Sequence, residues 1–126
     1  MNTPDDLKYT KNHEWVRDNG DGTVSVGITD FAQNELGDIV FLDIQPVDSE
    51  FTADEVFGTV EAVKTVSDLY CPVSGVLEAV NEELESSPEL VNTDPYGDGW
   101  IIRITCSDPG ELDDLLSAEE YAAITS

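Results

Sequence analysis

The chain has 126 residues and a formal net charge of -23, with 28 Asp and Glu against 5 Lys and Arg. That length suits one domain, and the charge excludes nucleic acid as a partner, because phosphate binding needs Lys and Arg to displace counterions. An anionic membrane repels the chain for the same reason.

Acidity alone can keep a chain unfolded. Here Leu, Ile, Val and Phe supply 34 of the 126 residues, above the ~20% below which a charged chain stays disordered. A packed core is therefore expected. No apolar run approaches the ~18 residues of a membrane span. Met1-Asn-Thr-Pro-Asp-Asp6 has neither the basic nor the apolar region of a signal peptide. Cys71 and Cys106 are too few for a disulfide framework. The expectation is a soluble, cytoplasmic, monomeric domain. The acids spread from Asp5 to Glu120 without a solid block. That distribution favours adaptation to a salt-loaded (halophilic) cytoplasm, where screening relieves self-repulsion. The alternative is an acidic surface for a basic partner.

Asp18-Asn-Gly-Asp-Gly-Thr23 is turn chemistry, with residues that tolerate positive φ. Residues 23–28 alternate with period two and predict a strand. With residues 9–16 before them they predict a hairpin. Thr29 caps a short helix over 30–36, with Asp30 in its first turn and Gly37 as its stop. Residues 39–44 predict a buried strand, ended by Pro46. Residues 56–61 predict the next strand and 67–71 its return. After Pro72 and Gly75, residues 76–80 predict another. Residues 85–99 are turn-rich and predict a loop, and 100–104 predict the last strand. The tail reads as helical. Pro109 suits a first helical position, and Ser117-Ala-Glu-Glu120 is a capping box for a helix ending near Ile124. Short strands at this spacing predict a mainly β sandwich or barrel with short flanking helices. Two glycine-led strands, starting at Gly37 and Gly75, lie 38 residues apart and hint at duplicated halves.

Catalytic patterns are missing. There is one histidine, His13, and no phosphate-binding loop or nucleophile elbow. Asp94-Pro-Tyr-Gly-Asp98-Gly99 fails as a calcium loop, because its third position is Tyr96 and its twelfth, where Glu is needed, is Thr105. No metal or catalytic residue is assigned.

One residue stands out by subtraction. Between Arg17 and Arg103 lie 85 residues with 19 acids and a single base, Lys64. On that count alone, an ion pair with Glu61 or Asp68, worth ~0–1 kcal/mol if exposed, stands level with a functional role. Its setting favours function. Lys64 falls between two predicted strands, near the tip of a turn, where an amine is accessible. An accessible amine suits amide attachment of a carried group, and a tethered group reaches several enzymes at high effective concentration.

The segment Val60-Glu-Ala-Val-Lys64-Thr-Val-Ser-Asp68 resembles the lipoylation segment of the glycine cleavage system H-protein family. Further motifs match in order: Leu7-Lys-Tyr-Thr, His13-Glu-Trp-Val16, Gly27-Ile-Thr-Asp30, Leu36-Gly-Asp-Ile-Val40, Pro72-Val-Ser-Gly75, Val80-Asn81, Pro95-Tyr-Gly97 and Gly99-Trp100. The resemblance implies a barrel-sandwich hybrid of lipoyl-domain type: one carrier domain over 1–126, its β core at about 7–105 and its helical tail at about 108–125. It implies lipoate amide-linked to Lys64, with no turnover of its own. Glu61, Val63, Thr65 and Asp68 would mark the attachment site for a lipoate-attaching enzyme.

The partners implied are a pyridoxal-phosphate glycine decarboxylase, a tetrahydrofolate-dependent aminomethyltransferase and dihydrolipoamide dehydrogenase. The loaded arm ends in an amine, and Glu14 and Asp68 are the candidates to hold it in a cleft; the alternative is that both are ordinary surface acids. The rival functions are a lipoyl or biotinyl carrier of another complex, a lipoyl relay protein, and an acidic adaptor whose lysine is never modified. Val63-Lys64-Thr65 lacks the Met-Lys-Met of biotin carriers and the Asp-Lys-Ala of 2-oxo-acid dehydrogenase domains. His13 is expected to be structural rather than a switch titrating near pH 6.5, and Trp15 and Trp100 to pack rather than to contact partners; Tyr96 is expected to sit in a turn, and Cys71 to be a small buried hydrophobe within a strand.

Overall fold

A computed structural model describes residues 3–125. In chain order its strands are β1 (Lys8–Tyr9), β2 (Glu14–Asp18), β3 (Thr23–Ile28), β4 (Ile39–Ile44), β5 (Glu50–Phe51), β6 (Val56–Ala62), β7 (Val66–Tyr70), β8 (Gly75–Val80) and β9 (Ile102–Cys106). The helices are α1 (Asp30–Leu36), α2 (Glu83–Ser86), α3 (Leu90–Thr93) and α4 (Ala118–Thr125), with a 3-10 helix at Pro109–Asp114. One sheet has the order β1-β2-β3-β9-β8-β5, and the other β4-β6-β7; every pairing is antiparallel.

Val26, Leu77, Ile102 and Ile104 of the larger sheet meet Phe57, Val60 and Leu69 of the smaller in one buried cluster. Alternation along each strand puts these side chains inward, and their burial drives the two sheets together. The expected mainly β barrel-sandwich architecture is borne out. A second buried cluster lies beneath α4, where Leu7, Tyr9 and Trp15 meet Ala118 and Tyr121. Trp15 is fully buried and its indole N–H donates to the Pro95 carbonyl at 2.8 Å. It packs rather than displays. Gly27 pairs with Trp15 across the β2–β3 ladder, and a methyl at Gly27 would lie 2.7 Å from the indole ring. Gly27→Ala is therefore expected to cost about 1–3 kcal/mol by overpacking, measurable as a lowered denaturation midpoint.

The local signals read from the sequence hold where capping decides them. Thr29 accepts from the Ala32 N–H, and Gly37, at φ 82°, donates to the Gln33 carbonyl. The Ser117 and Glu120 side chains accept from each other's backbone N–H at 3.2 and 3.0 Å. Elsewhere the structure corrects the reading. Residues 9–16 are not one strand: the chain breaks between β1 and β2, with His13 at φ 69°, and the two pieces pair with each other. Residues 39–44 are not a buried strand, since Val40 and Phe41 are 49% and 53% exposed. The strand lies at the edge of the smaller sheet. The last strand starts two residues later than expected, at Ile102, and runs to Cys106. The supposed loop 85–99 contains α3 and the end of α2. Cys71 is fully buried but follows β7 rather than lying in it. The strands after Gly37 and Gly75 fall in different sheets.

Candidate functional site

β6 and β7 run antiparallel, with Glu61 opposite Val66. The Ala62 N–H donates to the Thr65 carbonyl at 2.8 Å and closes the turn. The next amide, of Val63, donates to the Asp38 carbonyl at 3.1 Å, tying the tip to the segment between α1 and β4. Lys64 sits on this braced tip. Its side chain is exposed and forms no ion pair with Glu61 or Asp68 among the described residues. That removes the electrostatic explanation for its survival. Val63 is 73% exposed, and Glu61, Thr65 and Asp68 are exposed around it. The turn thus displays the whole segment that was expected to mark an attachment site.

Beside the turn lies a cleft of about 300 Å³ between α1 and the β6–β7 pair. Phe31 and Leu36 line it from α1, and Val60 and Leu69 from the sheet. The Lys64 stem crosses Gly37 at the end of α1: a methyl there would meet Lys64 Cε at 3.3 Å and Nζ at 4.0 Å. The amine therefore starts from the end of the cleft that Leu36 lines. An apolar chain attached at Lys64 finds apolar walls beside it, with polar groups farther along. That arrangement fits a lipoyl group. A larger groove of about 480 Å³ runs beside β4 and Leu84, but it holds no buried titratable side chain and lies off the Lys64 turn.

Glu14 and Asp68 both line the cleft. They are not alike. Asp68 is exposed. Glu14 is only 1% exposed, which overturns the reading of it as an ordinary surface acid. One of its carboxyl oxygens accepts from the Thr10 hydroxyl at 2.8 Å and the other from the Tyr70 N–H at 3.3 Å. Burial pushes its pKa up to about 8; those two hydrogen bonds oppose the shift, and Asp54 adds to it. A carboxyl so deeply buried, with two donors and no cation, is held neutral near pH 7.

His13 lines the same cleft. Its Nδ1 is 2.8 Å from the Tyr121 hydroxyl, and its ring lies 4.7 Å from that of Phe31. Burial holds the imidazole below its usual value, opposed by the Glu35 carboxylate. Its contacts are those of a structural residue. Trp100 is half-buried, with the Arg103 guanidinium 5.5 Å from its ring centre. Tyr96 does more than turn the chain: its hydroxyl accepts the Asp30 N–H at 2.9 Å at the start of α1. Burial raises the Cys71 thiol pKa to about 12, so it is inert.

Sequence reasoning missed Thr10, Tyr121 and Asn92 around this cleft. Asn92 donates to the Gln33 side chain and the Gly37 carbonyl and accepts from the Ile39 N–H. No local pattern marks Tyr121 and Asn92, because each meets its partners through tertiary packing, whereas Thr10 lies only four residues from Glu14, across the break between β1 and β2.

A family model described as Glycine cleavage H-protein matches residues 7–126. A glycine cleavage system H protein of Salinibacter ruber is 58% identical over 125 residues, covering 99% of this chain and 100% of that protein. One from Vibrio parahaemolyticus is 58% identical over 115 residues, 91% of each. The crystal structure of a glycine cleavage system H protein from Mycobacterium marinum superposes with a TM-score of 0.87 at 42% identity, covering 96% of this chain and 97% of that one. With a lysine turn beside an apolar cleft and matches along its length, the chain belongs to the glycine cleavage H-protein family, the non-catalytic carriers of covalently bound lipoate that shuttle the aminomethyl group of glycine.

Proposed function

We propose that Lys64 is the lipoyl-bearing lysine and that Glu14, with Asp68 at the rim, receives the cationic end of the loaded arm. One observation carries this reading: an exposed amine on a braced turn stands at the end of an apolar cleft that contains a buried, counter-ion-free carboxyl. The lipoyl group supplies the sulfur that carries the aminomethyl unit between enzymes. The chain's own residues do the rest. Phe31, Leu36 and Val60 keep water from the bond to sulfur. Glu14 loses its proton and pairs with the ammonium. The exposed Lys64 turn leaves the amine open to the enzyme that attaches lipoate, for which Glu61, Val63, Thr65 and Asp68 are the flanking contacts.

The partners in this reading are the pyridoxal-phosphate glycine decarboxylase, the aminomethyltransferase and dihydrolipoamide dehydrogenase. The whole of 1–126 acts as one monomeric carrier unit in the cytoplasm. No helix among the described residues is long and apolar enough to cross a membrane. The test is an intact mass with peptide mapping of protein purified from its native cells. A lipoyl increment on the Lys64 peptide supports the assignment. A biotin increment, or an unmodified Lys64 in cells growing on glycine, overturns it.

The acidity reads as salt adaptation. With 28 acids against 5 bases, self-repulsion is strong at low salt and is screened within about 3 Å at 1 M. The melting temperature is expected to rise by at least roughly 5 °C between low and molar potassium chloride. A flat melting curve across that range would count against salt adaptation.

A further inference from the structure

α1 forms one wall of the cleft, yet it buries none of its side chains fully. Helices of this length are not stable alone, so something outside α1 must hold it. At its start, the Thr29 cap lies 2.7 Å from the Tyr121 hydroxyl, and the Asp30 N–H donates to Tyr96 at 2.9 Å. At its end, Leu36 packs against the core, and one side chain makes the polar connection. The Asn92 amide nitrogen donates to the Gly37 carbonyl at 2.9 Å and to Gln33 Oε1 at 3.1 Å. Its oxygen accepts the Ile39 N–H at 2.9 Å. Asn92 therefore joins the last turn of α1 to the first residue of β4. Between them lie Gly37, which the Lys64 stem crosses, and Asp38, whose carbonyl braces the Lys64 turn through Val63.

We propose that Asn92 is a positioning residue for the carried arm: by clamping the end of α1 to β4 beneath Lys64, it sets the direction in which the arm enters the cleft. This rests on the reading that the Lys64 arm seats in that cleft. The amide is matched to the task because it offers donors to two acceptors and an acceptor to one donor. A carboxylate of the same shape presents only acceptors, and would face the Gly37 carbonyl and Gln33 Oε1 with its own lone pairs. Packing alone would tolerate that exchange; the clamp would not.

The experiment uses full-length, lipoylated protein carrying Asn92→Asp or Asn92→Ala, at molar salt, with melting curves to confirm folding. Gln33→Met, which removes one of the three Asn92 bonds together with the Gln33–Asp30 bond within α1, is the milder variant should either fail to fold. Two quantities are read. The first is the fraction of loaded arm seated in the cleft, from the ring signals of His13, the single histidine of the chain. The second is the hydrolytic lifetime of the loaded arm. With the clamp broken, both are expected to fall by roughly five- to tenfold in Asn92→Asp and Asn92→Ala, and about twofold in Gln33→Met. Relative to wild type at each pH, Asn92→Asp should recover on acidification, as the introduced carboxyl regains a proton to donate. Folded Asn92 variants with wild-type seating and lifetime would overturn the clamp alone. Loaded wild-type protein that neither shifts His13 nor outlasts unfolded chain would overturn the cleft reading, and the clamp with it.

Discussion

Lys64→Arg is expected to abolish lipoylation and to lower glycine–CO2 exchange by the decarboxylase at least roughly 100-fold, the advantage a tethered group holds over a free one. Amide formation needs an amine that can shed a proton, and a guanidinium stays protonated throughout the physiological range. The fold should not notice. Lys64 is exposed and unpaired among the described residues, and such surface changes shift stability by no more than about 0.5 kcal/mol. The chain offers only Lys8 and Lys11 as other amines on side chains. Lys8→Arg and Lys11→Arg are therefore the controls, and both should leave exchange unchanged. Exchange that survives in Lys64→Arg would overturn the assignment of the attachment site.

Glu14→Gln should change both the pH dependence of stability and the life of the loaded arm. The Glu14 pKa is about 8 in the fold against an ordinary value of 4.5. The folded state thus binds this proton more tightly than the unfolded chain does. Its contribution to stability is complete below pH 4.5 and is lost as pH rises through 8. Integrated over that window, wild type should lose up to roughly 5 kcal/mol that Glu14→Gln keeps. Melting curves at pH 5, 7 and 9 measure this: the variant should gain on wild type at each step. A gap that does not change with pH would mean that Glu14 titrates normally. The cost of the same substitution falls on function. Without a carboxylate to form at Glu14, the cleft keeps only the exposed acids Glu35 and Asp68 for the ammonium, and hydrolysis of the loaded arm should quicken. In wild type, seating is expected to release one proton per arm near pH 7. An unchanged lifetime in Glu14→Gln would remove Glu14 from the site.

The acidity joins these two results. Partners from the same cell should be as acidic as this chain, and high salt screens charge pairing between surfaces. On the salt-adaptation reading proposed above, docking around Lys64 is expected to rely on shape and apolar contact. Val63 and Val66, 73% and 59% exposed, flank the lysine.

What could be read from the sequence was local. Lys64 stood out because a single base among acids needs no partner to be noticed, and the turn that displays it lies between two strands close in the chain. The Thr29 and Gly37 caps of α1 and the Ser117–Glu120 box of α4 were equally legible, since each closes within a few residues and depends on side chains that offer one hydrogen bond to a nearby amide. What the tertiary structure decided was pairing at a distance. The apolar run 39–44 promised burial, but it forms an edge strand, and the side chains on its open face stay in water. The start of the last strand depended on its ladder with β3 and β8, which the composition of residues 100–106 does not encode. Glu14 is one acid among 28, and only Thr10, Tyr70 and the walls of the cleft distinguish it. Asn92 lay within an apparent loop until its three partners arrived from α1, its cap and β4. The lysine proposed for attachment is marked by its local setting, which the chain displays by itself; the cleft is a property of burial, and burial exists only once distant segments have excluded water together.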